Sequence, residues 1–140
     1  MESTTSNGPS LVQVPAGRLL RRGLLAAILA AVANALVLVI ASSLFGAVVV
    51  PPDETLTLGP VVAASAIGAA GAAIVLGIIG WFSRRPIRVF RVIALVVLLL
   101  SLVPIPLQGV AGPSAGALAL MHVLAAAIVV GVLTTTRGGR

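Results

Sequence analysis

Between Arg22 and Asp53 the chain reads GLLAAILAAVANALVLVIASSLFGAVVVPP, without a single charge. The segment from Gly23 to Val50 is 28 residues long, and a helix of about 20 apolar residues already crosses the hydrocarbon of a bilayer. Three more such runs follow, so the pattern predicts spans over residues 24–45, 61–82, 90–107 and 116–133. A soluble fold is excluded on the same ground. With 59% apolar and only 9% charged residues in 140, one small core could not hide the apolar surface, and soluble domains average about 25% charged. The expected fold is all-α, a membrane-embedded bundle of four transmembrane helices.

The segments between the runs are rich in chain breakers. Pro51 and Pro52 stop the first span, Pro86 falls between the second and third, Pro104 and Pro106 end the third, and QGVAGPSAG separates it from the fourth. Residues 1–17, MESTTSNGPSLVQVPAG, are polar and breaker-rich and predict a mobile tail. The membrane domain is expected over 18–137, with 138–140 as a short second tail. RLLRR followed by GLLAAILAAVA imitates a secretory signal, but the apolar run continues well past the A-x-A at Ala31 to Ala33. Signal cores are only 7–15 residues long by the general rule.

All nine basic residues are arginine. Arg18, Arg21 and Arg22 precede the first span; Arg84, Arg85, Arg88 and Arg91 lie between the second and third; Arg137 and Arg140 follow the fourth. The other two loops carry none, and one of them holds Asp53 and Glu54, which read as solvated carboxylates. Cytoplasmic loops gather arginine, so the expected orientation is N-in and C-in. Because the arginines flank apolar runs, the +6 charge suits lipid headgroups rather than nucleic acid. Arg84, Arg85, Arg88 and Arg91 read as a topology signal able to meet anionic headgroups. Trp81 closes the second span at interface depth.

Helices in lipid associate through small residues. Ala64, Gly68 and Ala72 repeat at four-residue spacing in the second span and predict a packing stripe there, with Gly71 beside it. Ala27, Ala30, Ala31, Asn34 and Ala41 mark the first span; Ala115, Ala119, His122, Ala125 and Ala126 mark the fourth. Polar residues within the runs are few. Counted from the arginine ends at 1.5 Å per residue, Asn34 lies about 15 Å deep, Ser101 and His122 about 16 Å, and Ser65 about 25 Å. Asn34, Ser101 and His122 are therefore the expected interhelical polar contacts, with Asn34 the expected partner of an uncharged His122.

His122, the only histidine, admits three roles: a hydrogen bond fixing helix register, a proton or ligand path, or an axial ligand to a tetrapyrrole metal. No carboxylate lies within any span, which removes the acid of a proton-coupled exporter and the orienting member of a catalytic triad. With no cysteine, no metal-ligand cluster and no phosphate loop, neither an enzyme activity nor a cofactor is expected.

AAVANALV in the first span, TLGPVV entering the second, RRPIRVFRVIALVVLLLSLVP across the next loop and LALMHVLAAAIVVGVL in the fourth occur in a characteristic order. On these segments the chain resembles a family of small bacterial integral membrane proteins, a domain of unknown function, over residues 18–137. The resemblance implies four membrane helices and assigns no activity to any residue. The expected function is a structural or accessory component of the bacterial inner membrane, able to assemble with itself or a larger complex. Two alternatives stand beside it: a channel or carrier for a small solute or protons using Asn34 and His122, and a tetrapyrrole-binding subunit using His122.

Overall fold

A computed structural model describes residues 16–135. Residues 1–15 of the expected tail, and the C-terminal segment with Arg137 and Arg140, lie outside the described residues. The elements are α1 (Ala16–Phe45), β1 (Val49–Val50), β2 (Glu54–Thr55), α2 (Leu58–Phe82), α3 (Pro86–Leu102), α4 (Pro104–Leu107) and α5 (Gly112–Thr134). Four segments are long and apolar enough to cross a membrane: Gly17–Phe45, Leu58–Phe82, Pro86–Leu107 and Gly112–Thr134. The fold is the expected all-α four-helix membrane bundle, with one small hairpin added.

Each span begins earlier than its apolar run. Proline is the reason for three of them, because its missing N–H costs nothing in the first turn of a helix and its fixed φ favours that turn. Pro60, Pro86 and Pro113 accordingly stand near the starts of α2, α3 and α5 instead of ahead of them. α1 continues below Gly23 through Arg22, Arg21 and Arg18. At 1.5 Å per residue it is about 45 Å long, well over the roughly 30 Å of hydrocarbon, so its arginine-bearing turns reach the headgroups. Pro104 ends α3 as expected, leaving the single turn α4 whose Gln108 N–H donates to the Pro104 carbonyl at 2.9 Å. Gly109 and Gly112 then turn the chain with φ of 77° and 59°, a region that favours glycine.

The segment around PPDE forms an antiparallel hairpin, with Val49 opposite Thr55 and Val50 opposite Glu54. It docks on the start of α5, where Val49 N–H donates to Ser114 Oγ at 3.2 Å, and it buries Val48. The helices alternate in direction, so Arg18, Arg21, Arg22, Arg84, Arg85, Arg88 and Arg91 gather at one end and Asp53 and Glu54 at the other.

α1 is the central helix. It packs extensively on α2 and α5, whereas α2 and α5 barely touch. Toward the arginine end the core is Ala26, Ala30, Ala69, Leu76, Phe90, Val129 and Leu133; toward the hairpin it is Leu38, Ala41, Val48, Val61, Ala117 and Met121. Elsewhere the helices present large apolar side chains outward, including Val92, Leu95, Val96, Leu99 and Leu100 of α3. In water such a surface would drive aggregation; against acyl chains it is the matching solvent.

Close approach of α1 and α2 falls at other glycines than expected. A Cβ on Gly23 would stand 3.1 Å from Ala73 Cβ, and one on Gly77 would stand 3.1 Å from Leu19 Cδ2. A Cβ on Gly68 would meet nothing within 4 Å. Gly68 and Ala64 are exposed, so of the expected stripe only Ala72 packs against the core. The seam runs instead along Val61, Ser65, Ala69 and Leu76, one face around the helix.

Candidate functional site

Separation of α2 from α5 leaves a cleft of about 630 Å³ between α2, α3 and α5. α2 contributes Ala64, Gly68 and Gly71, α3 contributes Ile93, Val97 and Ser101, and α5 contributes His122, Ala125 and Ala126. Asn34 reaches it from α1. Small residues are what keep it open: the Ala64–Gly68–Ala72 stripe lines this space along α2. Toward the arginine end Phe90, 2% exposed, fills the gap together with Leu76, Val129 and Leu133. Among the described residues no arginine, aspartate or glutamate lines the cleft.

The polar residues singled out from the sequence meet here, though not in the expected pairs. Asn34, Ser101 and His122 all line the cleft, together with Ser65. Asn34 is 7% exposed and its Nδ2 donates to Ser65 Oγ at 3.1 Å, joining α1 to α2. His122 Nδ1 lies 2.7 Å from the Leu118 carbonyl of its own helix, and Ser101 Oγ donates to Leu98 O at 2.7 Å. Of the three expected interhelical contacts, only Asn34 makes one, and its partner is Ser65 rather than His122. The antiparallel register explains this. Gly23 opposite Ala73 and Leu19 opposite Gly77 continue along α1 and α2 until Asn34 stands beside Ser65. Asn34 sits deeper than the roughly 15 Å expected at 1.5 Å per residue, because α1 extends two turns below Leu24.

The hydrogen-bond roles can be assigned from the partners. Ser65 has one hydroxyl hydrogen, which goes to the Val61 carbonyl at 2.8 Å. Its oxygen can therefore only accept from Asn34, which fixes the amide with Nδ2 toward Ser65. Asn34 Oδ1 is then left buried with no hydrogen-bond partner among the described residues. A carbonyl opposite His122 Nδ1 requires that nitrogen to carry a hydrogen, so in the neutral ring Nε2 holds the lone pair.

A further polar contact lies at the arginine end. Arg91 Nη2 donates to Thr134 Oγ1 at 3.1 Å, and that hydroxyl donates to Val130 O at 2.7 Å, tying α3 to α5. Charge-assisted bonds of this type are among the stronger ones. Arg91 reads from the sequence as a residue able to meet headgroups, whereas nothing in the sequence marks Thr134, one residue past the last apolar run. Trp81 is 71% exposed at the same end. Among the described residues no group of three His, Cys, Asp or Glu could hold a metal ion.

Four apolar spans around a cleft with a few polar lining residues define a multi-pass membrane protein. Residues 14–139 match the family model described as Family of unknown function (DUF6069). The chain belongs to that family. No curated protein and no solved structure matches it.

Proposed function

We propose that this protein binds a small, membrane-dissolved molecule in the cleft between α2, α3 and α5, as a non-enzymatic binding or carrier component of the bacterial inner membrane. The observation that carries this reading is Asn34. A buried acceptor without a donor costs roughly 1–3 kcal/mol, and this one belongs to a residue lining a cleft of about 630 Å³. Ligand sites of 300–1,000 Å³ with apolar walls and a few convergent polar groups are the general rule. The apolar lining and the plug at Phe90 favour a carrier or receptor over an aqueous channel.

Native mass spectrometry of the protein released from detergent micelles provides the test, with 4-hexylphenol as probe. A saturable one-to-one adduct is expected. Gly68→Leu should abolish it while leaving the folded protein as stable as before, because its side chain enters the cleft without touching the α1–α2 seam. Absence of a saturable adduct, or one indifferent to Gly68→Leu, would remove the cleft as a site.

His122 gives a second reading one specific support. Histidines that bind metals usually donate their other ring N–H to a carboxylate or backbone carbonyl, and His122 makes such a contact with Leu118. An axial bond from Nε2 to a tetrapyrrole metal would show as a visible absorption band in the purified protein, lost in His122→Leu.

The same proposal places both termini in the cytoplasm. Its support is the gathering of the seven described arginines at one end of the bundle, opposite Asp53 and Glu54, since cytoplasmic segments collect basic residues. Single cysteines at Asp53 and Ser114 should label from outside sealed cells with an impermeant maleimide, and one at Ser83 should not. Labelling at Ser83 alone would invert the orientation.

A further inference from the structure

We propose that the molecule held in the cleft is neutral and donates hydrogen bonds: an apolar body carrying a phenolic or alcoholic hydroxyl. This rests on the reading of the cleft as a binding site and adds the chemistry of its occupant. The polar side chains that line the cleft carry more acceptors without donors than free donors. Asn34 Oδ1 has no partner among the described residues. His122 spends its Nδ1 hydrogen on the Leu118 carbonyl, which leaves Nε2 as an acceptor in the neutral ring. Ser101 spends its hydroxyl hydrogen on Leu98 O, leaving lone pairs on Oγ. Against these three acceptors stands one uncommitted donor, the second hydrogen of the Asn34 amide.

That balance discriminates between chemical classes. A ketone, ether or ester brings acceptors to acceptors, so its oxygen would lose water and gain at most the one amide hydrogen. A carboxylate or phosphate would also bring a charge into a lining with no arginine, and an ammonium into one with no carboxylate. A hydroxyl matches both halves of the Asn34 amide, a donor for Oδ1, which is covered until the side chain shifts toward the cleft, and an acceptor for Nδ2, while its apolar remainder lies along Ile93, Val97, Ala125 and Ala126. Sites built to hydrogen-bond a substrate hydroxyl reject the analogue that lacks it far more strongly than apolar pockets reject a missing methylene.

The test is a matched pair, 4-hexylphenol and its methyl ether 4-hexylanisole, titrated onto the full chain and read as adduct by native mass spectrometry. The phenol should bind at least about tenfold more tightly than the ether. Asn34→Leu should bring the two within about twofold by weakening the phenol alone. His122→Leu serves as a second variant, expected to narrow the gap if Nε2 shares the hydroxyl. Equal binding of phenol and ether to the unmodified protein would overturn the donor assignment and leave the cleft as a site. A preference that survives both substitutions would overturn it as well. Failure of both probes to give an adduct sensitive to Gly68→Leu would overturn the cleft reading itself.

Discussion

Gly23→Leu should be among the most damaging single substitutions in the bundle, lowering stability by about 1–3 kcal/mol or more in reversible SDS unfolding. A Cβ at this position would stand 3.1 Å from Ala73 Cβ, inside the roughly 3.5–4.0 Å optimum for two carbons. Neither atom can rotate away, because each is fixed to a helix backbone. Gly23→Ala should therefore already show part of the loss, and the leucine must force α1 and α2 apart. Ala73→Leu, on the other side of the same contact, should behave likewise. Gly68→Leu is the control: its Cβ meets nothing within 4 Å, so stability should hold within about 0.5 kcal/mol. If Gly23→Leu and Gly68→Leu proved equally tolerated, the seam between α1 and α2 would not lie where Gly23 and Ala73 place it.

The same pair of glycines shows which parts of the fold are legible in the residues alone. Span number follows from the length of uncharged apolar runs, a one-dimensional property set by bilayer thickness. Which face of a span meets protein is a different matter. Lipid and protein interior are equally apolar, so an amphipathic stripe need not mark the buried side. Small residues are the remaining signal, and in α2 they serve two ends. Ala73 lets α1 approach, Ala64, Gly68 and Gly71 hold a cleft open, and Ala69 and Ala72 border both. Four-residue spacing cannot distinguish a helix contact from the wall of a cavity.

The polar residues were more informative as a set than as pairs. Their scarcity in otherwise apolar spans singled out Asn34, Ser101 and His122, and all three line the cleft. Their partners depended on register, which comes from how far α1 extends past its apolar run and on contacts such as Gly23 with Ala73. Ser65, about 25 Å from the arginine end at a rise of about 1.5 Å per residue, is the residue that Asn34 meets. A serine in a membrane helix usually returns its hydrogen to a carbonyl one turn back. That habit leaves its oxygen free to accept from a neighbouring helix, and it could have marked Ser65 as a partner for any donor facing it.

Asn34→Asp is the second substitution expected to have a large effect. An aspartate there loses the Nδ2 donor to Ser65 and places a carboxylate far from the arginines, all of which among the described residues lie at one end of the bundle. A charge at this depth costs about 2.5–3.5 kcal/mol on insertion scales, which should appear as low yield and a matching loss in SDS unfolding. Asn34→Leu should be mild, within about 1 kcal/mol, although it removes more polar character. It deletes the unpaired Oδ1 together with the donor, and Ser65 keeps its bond to the Val61 carbonyl. The ordering Asp far worse than Leu would mark the site as intolerant of charge rather than dependent on the amide. A double-mutant cycle then identifies the partner. Asn34→Leu with Ser65→Ala should show coupling of about 0.6–1.7 kcal/mol, whereas Asn34→Leu with His122→Leu should be additive within about 0.5 kcal/mol. Coupling to His122 in place of Ser65 would mean that the two cleft residues bond to each other, and Asn34 Oδ1 would then no longer be an acceptor waiting for a ligand.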